Sequence, residues 1–477
     1  MPHFDYDLTI IGGGSGGLTA ARVATALGAR VLLVDKQQLG GDCLHYGCVP
    51  SKSLIHVART LHHMQHATEI GLTCSDIHID IPKVSAYVQR VIQQVSATEQ
   101  VYTEGVTVKF GHIAFKSPTE LQLNNERITT RNTLIATGSR PFVPPIEGLT
   151  ATGYLTNEDV FDLQALPESL IIAGGGPIGV ELAQALARLG TNVTIIQGPT
   201  RILPKEEPEV SATISEVLRA EGITIIPNAR FIGAERRGTK KVIIARQDET
   251  TLTFEADELL LALGRQPNAA TLNLDAAQVA YDSKGIKVNE YLQTSTPNIL
   301  AIGDVIGGYL FTHVAAYQAG IAVQNALLPI YKKKVDYRVV PWCTFTDPEA
   351  ARVGLTMAEA QQQYKEVREE YFPWSEIDRA QAEHETIGFI KLILAGKKDE
   401  IVGAHLVGVG AGELLGELSL AIQHHMTLND IFHTIHPYPT ITTGLQQAAL
   451  EAYLKGRQAF SNRKIVETVL KLRNTGA

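Results

Sequence analysis

Residues 8–17 read Leu8-Thr9-Ile10-Ile11-Gly12-Gly13-Gly14-Ser15-Gly16-Gly17. A short apolar run enters five glycines within six residues, and a small-residue helical pattern follows through Leu18, Ala21, Ala24 and Leu27. Gly28 supplies a helix stop, and Val31-Leu32-Leu33-Val34 predicts the next buried strand, ending at Asp35. This strand, glycine loop, helix and strand order is what a dinucleotide requires. Glycines let the backbone approach a pyrophosphate, a helix N-terminus offers free N–H groups, and an acid at the end of the second strand accepts from a ribose hydroxyl.

The same unit recurs. Leu170-Ile171-Ile172-Ala173 precedes Gly174-Gly175-Gly176-Pro177-Ile178-Gly179, a helix runs to Gly190, and Val193-Thr194-Ile195-Ile196 ends at Gln197. Gly12 to Asp35 and Gly174 to Gln197 both span 23 residues, so two nucleotide-binding domains are expected. They differ at the last position. Asp35 suits a ribose with a free 2′-hydroxyl, whereas Gln197 neither repels nor pairs with a 2′-phosphate, and Arg201 lies close in sequence. The second site is open to NADH or NADPH. Two readings follow: a flavin paired with a nicotinamide, or a nicotinamide enzyme with a regulatory nucleotide site.

The chain has 477 residues, 41 of them glycine, is 44% hydrophobic and only 6% aromatic, which suits aliphatic parallel sheets joined by tight turns in about three domains. Its net charge of −8 offers no global basic field for nucleic acid or an anionic membrane. No run of apolar residues predicts a membrane span, and the acidic start Asp5-Tyr6-Asp7 does not read as a secretory signal, so a cytoplasmic location is expected. Four cysteines, Cys43, Cys48, Cys74 and Cys343, are too few to staple a chain of this size. Any disulfide here is expected to be catalytic.

After Asp35 comes Gly40-Gly41-Asp42-Cys43-Leu44-His45-Tyr46-Gly47-Cys48-Val49-Pro50-Ser51-Lys52. Two cysteines at a helix start sit where a thiol pKa is depressed, which favours a dithiol–disulfide switch. The alternatives are a pair of buried small hydrophobes or a metal site using His45. The latter is weakened because neither Cys74 nor Cys343 has a close Cys or His pair to complete a four-ligand set.

These segments resemble the flavin-dependent pyridine nucleotide-disulfide oxidoreductases, a family that includes dihydrolipoyl dehydrogenase, glutathione reductase and mercuric reductase. The likeness runs from Asp5 to about Phe460. It rests on the two glycine fingerprints, the segment ending at Lys52, and Leu134-Ile135-Ala136-Thr137-Gly138-Ser139-Arg140-Pro141. It continues in Leu261-Ala262-Leu263-Gly264-Arg265-Gln266-Pro267-Asn268, Ile299-Leu300-Ala301-Ile302-Gly303-Asp304 and Thr312-His313-Val314-Ala315.

The resemblance implies an α/β fold with two Rossmann-like domains, the FAD domain split around the NAD(P) domain, and a C-terminal α+β dimerisation domain. The expected bounds are 1–147 and 271–340 for the FAD domain, 148–270 for the NAD(P) domain, and 341–477 for the interface domain with a basic tail. FAD is expected on Gly12, Gly14 and Gly17 with its ribose on Asp35 and its ribityl chain near Asp304, and NAD(P)H on Gly174, Gly176 and Gly179. Further cofactor positions implied are Thr137, Gly138, Gln197, Gly264, Arg265, Gly303 and Ala315. Cys48 is implied to be the thiol that takes electrons from the flavin, Cys43 the interchange thiol, and Lys52 with Glu181 an ion pair near the reactive flavin nitrogen. A cation there stabilises the anion formed on reduction, and the carboxylate keeps the lysine charged.

The pattern breaks near the C-terminus. Disulfide-reducing members carry a His-x-His-Pro-Thr-x-x-Glu segment, with a His–Glu acid/base dyad. This chain reads His436-Pro437-Tyr438-Pro439-Thr440-Ile441-Thr442-Thr443, with Tyr438 at the base's place and Thr443 at the glutamate's. A phenol of pKa about 10 cannot exchange protons with a leaving thiol as an imidazole of about 6.5 can. His436 is a candidate substitute or a packing residue. Tyrosine here resembles the mercuric reductase branch, yet the chain ends Leu472-Arg473-Asn474-Thr475-Gly476-Ala477 without that enzyme's C-terminal cysteine pair.

The expectation is a homodimeric NAD(P)H oxidoreductase that passes electrons through a Cys43–Cys48 disulfide, with each site borrowing Tyr438 from its partner. Its acceptor is a small-molecule or protein-bound disulfide, a metal ion or a quinone. A rival of another class is a redox-sensing flavoprotein that binds a partner with little turnover. Residues 53–110 read as mostly helical, with His62 and His66 able to share a face. Pro141-Phe142-Val143-Pro144-Pro145 reads as a hinge, and Cys343 as a buried small residue. The tail from Ser461, with Arg463, Lys464, Lys471 and Arg473 against Glu467, predicts a helix with the stripe Ile465, Val466, Val469 and Leu470, expected to dock on its own dimer, with a partner or membrane-surface contact as the alternative.

Overall fold

The computed structural model describes residues 3–455 and 457–474. Strand Tyr6–Ile11 lies between Val31–Asp35 and Glu126–Ile135, parallel to both, with Leu8 opposite Val31 and Asn132. Thr107–Phe110 extends this sheet beyond Val31–Asp35, and an antiparallel pair, Ile113–Ser117 and Glu120–Leu123, extends it beyond Glu126–Ile135. The apolar run Val31-Leu32-Leu33-Val34 is unbroken because both faces of the strand are covered. Leu32 and Val34 enter one core with Phe115 and Ile135, and Val31 and Leu33 enter another with Leu18, Ala21 and Ala24 of the helix Ser15–Ala26.

A second parallel sheet has Ser169–Ala173 between Asn192–Ile196 and Glu258–Leu261, with Thr224–Ile226 outside Asn192–Ile196. An antiparallel meander of Ala229–Arg237, Lys240–Gln247 and Thr250–Ala256 precedes its last strand. The chain leaves the first sheet through Ser139–Pro141 and returns through Arg265–Pro267, and these two crossings pair antiparallel. The segment expected to act as a hinge therefore begins on a hydrogen-bonded ribbon. Ile299–Ala301 then joins the first sheet beside Glu126–Ile135, so the second sheet is an insertion into the first.

Contacts divide the chain into two units: residues 1–200 with 221–336, which hold both parallel sheets, and residues 201–220 with 337–477. The second unit is built on a five-stranded antiparallel sheet. Its strands lie in the order Trp342–Thr344, Glu349–Gly354, Glu400–Gly408, Phe389–Ala395, Val367–Pro373. Its core gathers Trp374, Ile390, Leu406, Leu418 and Leu445. The helix Pro208–Ala220 belongs to this unit through a charge cluster around the buried Lys391 and Glu207. The ammonium of Lys391 lies 3.0 Å from carboxylate oxygens of Glu207, Glu209 and Glu369. Burial alone pulls the Lys391 pKa down, but the three carboxylates outweigh it and raise it.

Residues 53–110 are helical over Cys48–His66 and Ile81–Glu99, but residues 73–80 form no helix and Thr107–Phe110 is the edge strand. Cys343 is half-buried against the C-terminal core rather than fully buried. The tail forms the helix Arg457–Asn474, and Ile465, Val466, Val469, Leu470 and Leu472 are exposed within this chain. Among the described residues, no helix is long and apolar enough to cross a membrane.

Candidate active site

The two glycine loops have matching geometry. At Gly12 the backbone is left-handed, and a Cβ would fall 2.2 Å from the carbonyl oxygen of Ala136; at Gly17 it would fall 1.8 Å from that of Gly12. Gly174 and Gly179 repeat this against Ala262 and Gly174, at 2.3 and 1.9 Å. The middle glycines face open space: a Cβ at Gly14 would meet only Gly41 Cα, at 3.7 Å, and one at Gly176 nothing within 4 Å. Each is the N-cap of its helix, Ser15–Ala26 and Pro177–Arg188, with no side-chain capping bond. Two uncapped helix N-termini under glycine cradles fit the pyrophosphates of FAD and NAD(P)H.

The residue closing each second strand reaches back to its loop. Gly13 N–H donates to Asp35 Oδ2 at 2.7 Å, and Gly175 N–H donates to Gln197 Oε1 at 2.8 Å. Asp35 Oδ1 also accepts from the N–H groups of Gln37 and Gln38, at 3.0 and 3.2 Å. Arg201 donates to its own loop, to the carbonyls of Pro204 and Glu206 at 3.3 and 2.8 Å.

The cysteines occupy separate helices: Cys43 lies in the short Gly41–His45, and Cys48 is the first residue of Cys48–His66. Tyr46 and Gly47 separate them, and a Cβ at Gly47 would sit 3.0 Å from Cys43 Cα. Both are free thiols in this structure. Lys52, one turn after Cys48, places its Nζ 2.7 Å from Oε2 of the buried Glu181. Thr312, at the start of the helix Thr312–Leu327, brings its hydroxyl 3.9 Å from Cys48 Sγ.

The pKa values of the two thiols are shifted in opposite directions. The Cys43 thiol's hydrogen bond lowers the Cys48 pKa against the penalty of burial, helped by the Lys52 charge and Thr312 and opposed by Glu181. Cys43 is raised by that same bond, by burial and by the Cys48 charge. The arrangement is a Cys48 thiolate beside a Cys43 thiol. Lys52→Met is therefore expected to raise the Cys48 pKa and slow its alkylation by iodoacetamide at about pH 7 by roughly tenfold. It also leaves the buried Glu181 without this cation, and a loss of about 3 kcal/mol in urea unfolding is expected. An unchanged alkylation profile would contradict this role for Lys52.

A second set surrounds Asp304. Ser139 Oγ donates to Asp304 Oδ2 at 2.5 Å, and Arg265 donates from Nε to Ser139 Oγ at 2.6 Å and from Nη2 to Ser139 O at 3.1 Å. Burial raises the Asp304 pKa, and the Ser139 bond and the Arg265 charge oppose it. Thr137 Oγ1 donates to Asn268 O at 2.8 Å, and the Asn268 side chain returns a bond to Thr137 O at 3.1 Å. Gly138 accepts from Asn268 N–H, and Gly303 N–H donates to Gln318 Oε1 at 2.6 Å. Ala315 packs so closely that a Cβ at Gly16 or Gly303 would lie 3.3 or 3.2 Å from its own Cβ. Gly264 adopts a left-handed conformation just before Arg265.

In the second unit, Tyr438 is 73% exposed, and its hydrogen bond to Asp378 raises the phenol pKa further. Thr443 is buried and donates to Thr440 O at 2.6 Å. His436 has both ring nitrogens engaged, Nδ1 at 2.9 Å from Thr434 O and Nε2 at 2.9 Å from Glu417 Oε1, with its side chain 4% exposed. It turns no free nitrogen to solvent.

His45 Nε2 is 2.8 Å from Leu39 O. The rings of His62 and His66 are 4.2 Å apart, with His66 Nδ1 bonded to His62 O. Among the described residues, no group of three or more His, Cys, Asp or Glu could hold a metal ion. Sequence reasoning gave no role to Thr312, Asp42, Ser139 or Glu417. Thr312, Asp42 and Ser139 lay inside recognised segments and Glu417 outside them, but all four are joined to their partners only by the fold.

The pyridine nucleotide-disulphide oxidoreductase family matches residues 6–319, and that family's dimerisation domain matches residues 340–449. The chain belongs to this family, whose members use FAD and NAD(P)H. It is 36% identical over 450 residues to mercuric reductase from Staphylococcus aureus, covering 94% of this chain and 82% of that one. It is 34% identical over 465 residues to dihydrolipoyl dehydrogenase from Bacillus subtilis (strain 168), covering 94% and 98%. Among solved structures it resembles the HOCl-induced flavoprotein disulfide reductase RclA from Escherichia coli, with a TM-score of 0.83 and 29% identity over 93% of this chain and 99% of that one. A Cu(II) complex of RclA is similar at a TM-score of 0.82 and 28% identity, covering 92% and 98%.

Proposed function

We propose that this protein is an NAD(P)H-dependent reductase whose Cys43–Cys48 dithiol delivers electrons to a thiophilic metal ion. What carries this reading is Tyr438, an exposed phenol with its pKa raised by Asp378, which by the family's pattern takes the place of the thiol-protonating imidazole that disulfide substrates need. His436 does not substitute, because both of its ring nitrogens are engaged.

FAD, when bound, supplies the two-electron relay between the nicotinamide and the dithiol. The chain's own groups do the rest. The Cys43 hydrogen bond, helped by the charge of Lys52 that Glu181 holds, keeps Cys48 as the thiolate, and Thr312 offers that sulfur a hydroxyl. Cys43 keeps its proton and is a poor nucleophile toward a disulfide without a base. A soft metal ion removes that obstacle, since its binding displaces the Cys43 proton directly to solvent. The two sulfurs then lose two electrons as the S–S bond forms, and one Hg(II) is reduced to the metal or two Cu(II) to Cu(I). The mercuric reductase relative and the RclA Cu(II) complex support this acceptor class. The dimerisation-domain match supports a homodimer.

An acceptor panel on purified holoenzyme, run with NADH and with NADPH, tests the reading. Hg(II) or Cu(II) is expected to be reduced at least tenfold faster than lipoamide, glutathione disulfide or a quinone. A disulfide turned over fastest would overturn it. Slow oxidation with every acceptor would favour a redox-sensing protein instead.

A further inference from the structure

The tail helix Arg457–Asn474 belongs to the second unit, and its side chains from Arg463 to Arg473 are all exposed within this chain. At about 100° per residue, Ile465, Val469 and Leu472 fall within roughly 60° of one another, and Val466 and Leu470 widen this apolar face on one side. Arg463, Lys464, Glu467 and Lys471 stand on the other side of the helix, where Arg463 Nε lies 3.1 Å from Glu467 Oε1. Ile465, Val469 and Leu472 are 61, 42 and 68% exposed. A helix of this kind draws most of its stability from packing its apolar face, so the row calls for a cover.

The sequence spacing and the position of the helix in the chain indicate what that cover is. Ile465, Val469 and Leu472 are spaced four and three residues apart, as in the seam of a two-helix coiled coil, with a β-branched residue between the other two. The preceding helix, Thr443–Lys455, straddles the end of the dimerisation-domain match at residue 449. Its Leu450 and Leu454 are exposed and, four residues apart, share a face. Exposed apolar residues therefore continue from the interface domain into the tail. A bilayer surface is a poorer cover, because residues 461–477 contain no Trp, Tyr or Phe to anchor a helix among lipid headgroups.

We propose that the helix Arg457–Asn474 pairs with the same helix of a second copy, forming a self-complementary two-helix seam that closes the dimer from outside the dimerisation domain. Once the two chains are joined elsewhere, the tails meet at an effective concentration on the order of millimolar, which lets a short seam form. Val469, at the centre of the row, meets its counterpart, while Glu467 faces solvent. The proposal rests on the homodimer proposed above and is independent of the electron acceptor.

The test is disulfide trapping in full-length holoenzyme carrying Cys74→Ser, with diamide as oxidant and a non-reducing gel as readout. Val469→Cys is expected to give covalent dimer at least about tenfold faster than Glu467→Cys on the opposite face. Ending the chain after Lys455, or combining Ile465→Asp with Val469→Asp, is expected to raise the dimer dissociation constant at least about tenfold by analytical sedimentation. Equal trapping at the two positions, or an unchanged dissociation constant in both the shortened chain and the double variant, overturns the proposal. So does binding of the parent to phosphatidylglycerol vesicles that the double variant loses, which would make the tail a membrane contact. A parent that sediments as a monomer defeats the homodimer itself, a result distinct from a stable dimer whose tails do not trap.

Discussion

Cys43→Ser is expected to lower NAD(P)H-dependent metal-ion reduction by roughly a hundredfold or more, while quinone reduction stays within about threefold of the parent. The reason is electron accounting at the sulfurs. Two electrons leave the dithiol only if an S–S bond forms, and a serine oxygen can neither join that bond nor bind a soft ion as a thiolate does. Cys48 remains in place, with Lys52 2.7 Å from Glu181 and the Thr312 hydroxyl 3.9 Å from the Cys48 sulfur, so the groups around the remaining thiol are untouched. A quinone has no need of a sulfur to accept electrons. Its rate therefore reports whether flavin reduction survives the substitution. Equal loss with both acceptors would mean that no route bypasses the dithiol, and full retention of metal-ion reduction would exclude the dithiol as the route.

Tyr438→His combined with Thr443→Glu is expected to raise lipoamide reduction by at least about tenfold and to leave metal-ion reduction within about threefold. An imidazole of pKa about 6.5 can take the Cys43 proton and return one to a leaving thiol near neutrality, which a phenol of about 10 cannot. The gain should be confined to acceptors that release a thiol. The structure accommodates the change at Tyr438, which is largely exposed. Thr443 is buried and loses its bond to Thr440 O, but it opens the helix Thr443–Lys455, where a carboxylate is favoured by the helix dipole. Thermal unfolding within a few degrees of the parent checks that the segment still folds. Absence of any gain would mean that another group already supplies the proton.

Much of the fold could be read from residues whose constraints are local. Gly12, Gly17, Gly174 and Gly179 stand where a Cβ would strike a backbone carbonyl, so close packing and the ligand requirement select the same residue. The alternation of Val31, Leu32, Leu33 and Val34 between two cores made an unbroken apolar run legible as a doubly covered strand. The Lys52–Glu181 pair was legible through family resemblance, although the two are 129 residues apart. Other features depend on tertiary placement. Nothing near Arg265 in sequence indicates its ion pair with Asp42, and nothing near His436 indicates Glu417. The helix Pro208–Ala220 follows the second nucleotide loop in sequence, yet Lys391 holds the adjoining Glu207 to the C-terminal sheet. The break between Cys43 and Cys48 escaped a reading of one continuous helix start; Tyr46 and Gly47 separate the two helices.

The claim that electrons pass through Cys43 and Cys48 is tested most directly by counting thiols. Of the four cysteines, all free in this structure, oxidised holoenzyme unfolded in denaturant with an alkylating agent is predicted to expose two, Cys74 and Cys343. After anaerobic reduction with NAD(P)H it should expose all four, with the gain mapped to Cys43 and Cys48 and reversed by added Hg(II) or Cu(II). A count of four before reduction, or no change on adding NAD(P)H, would contradict the account.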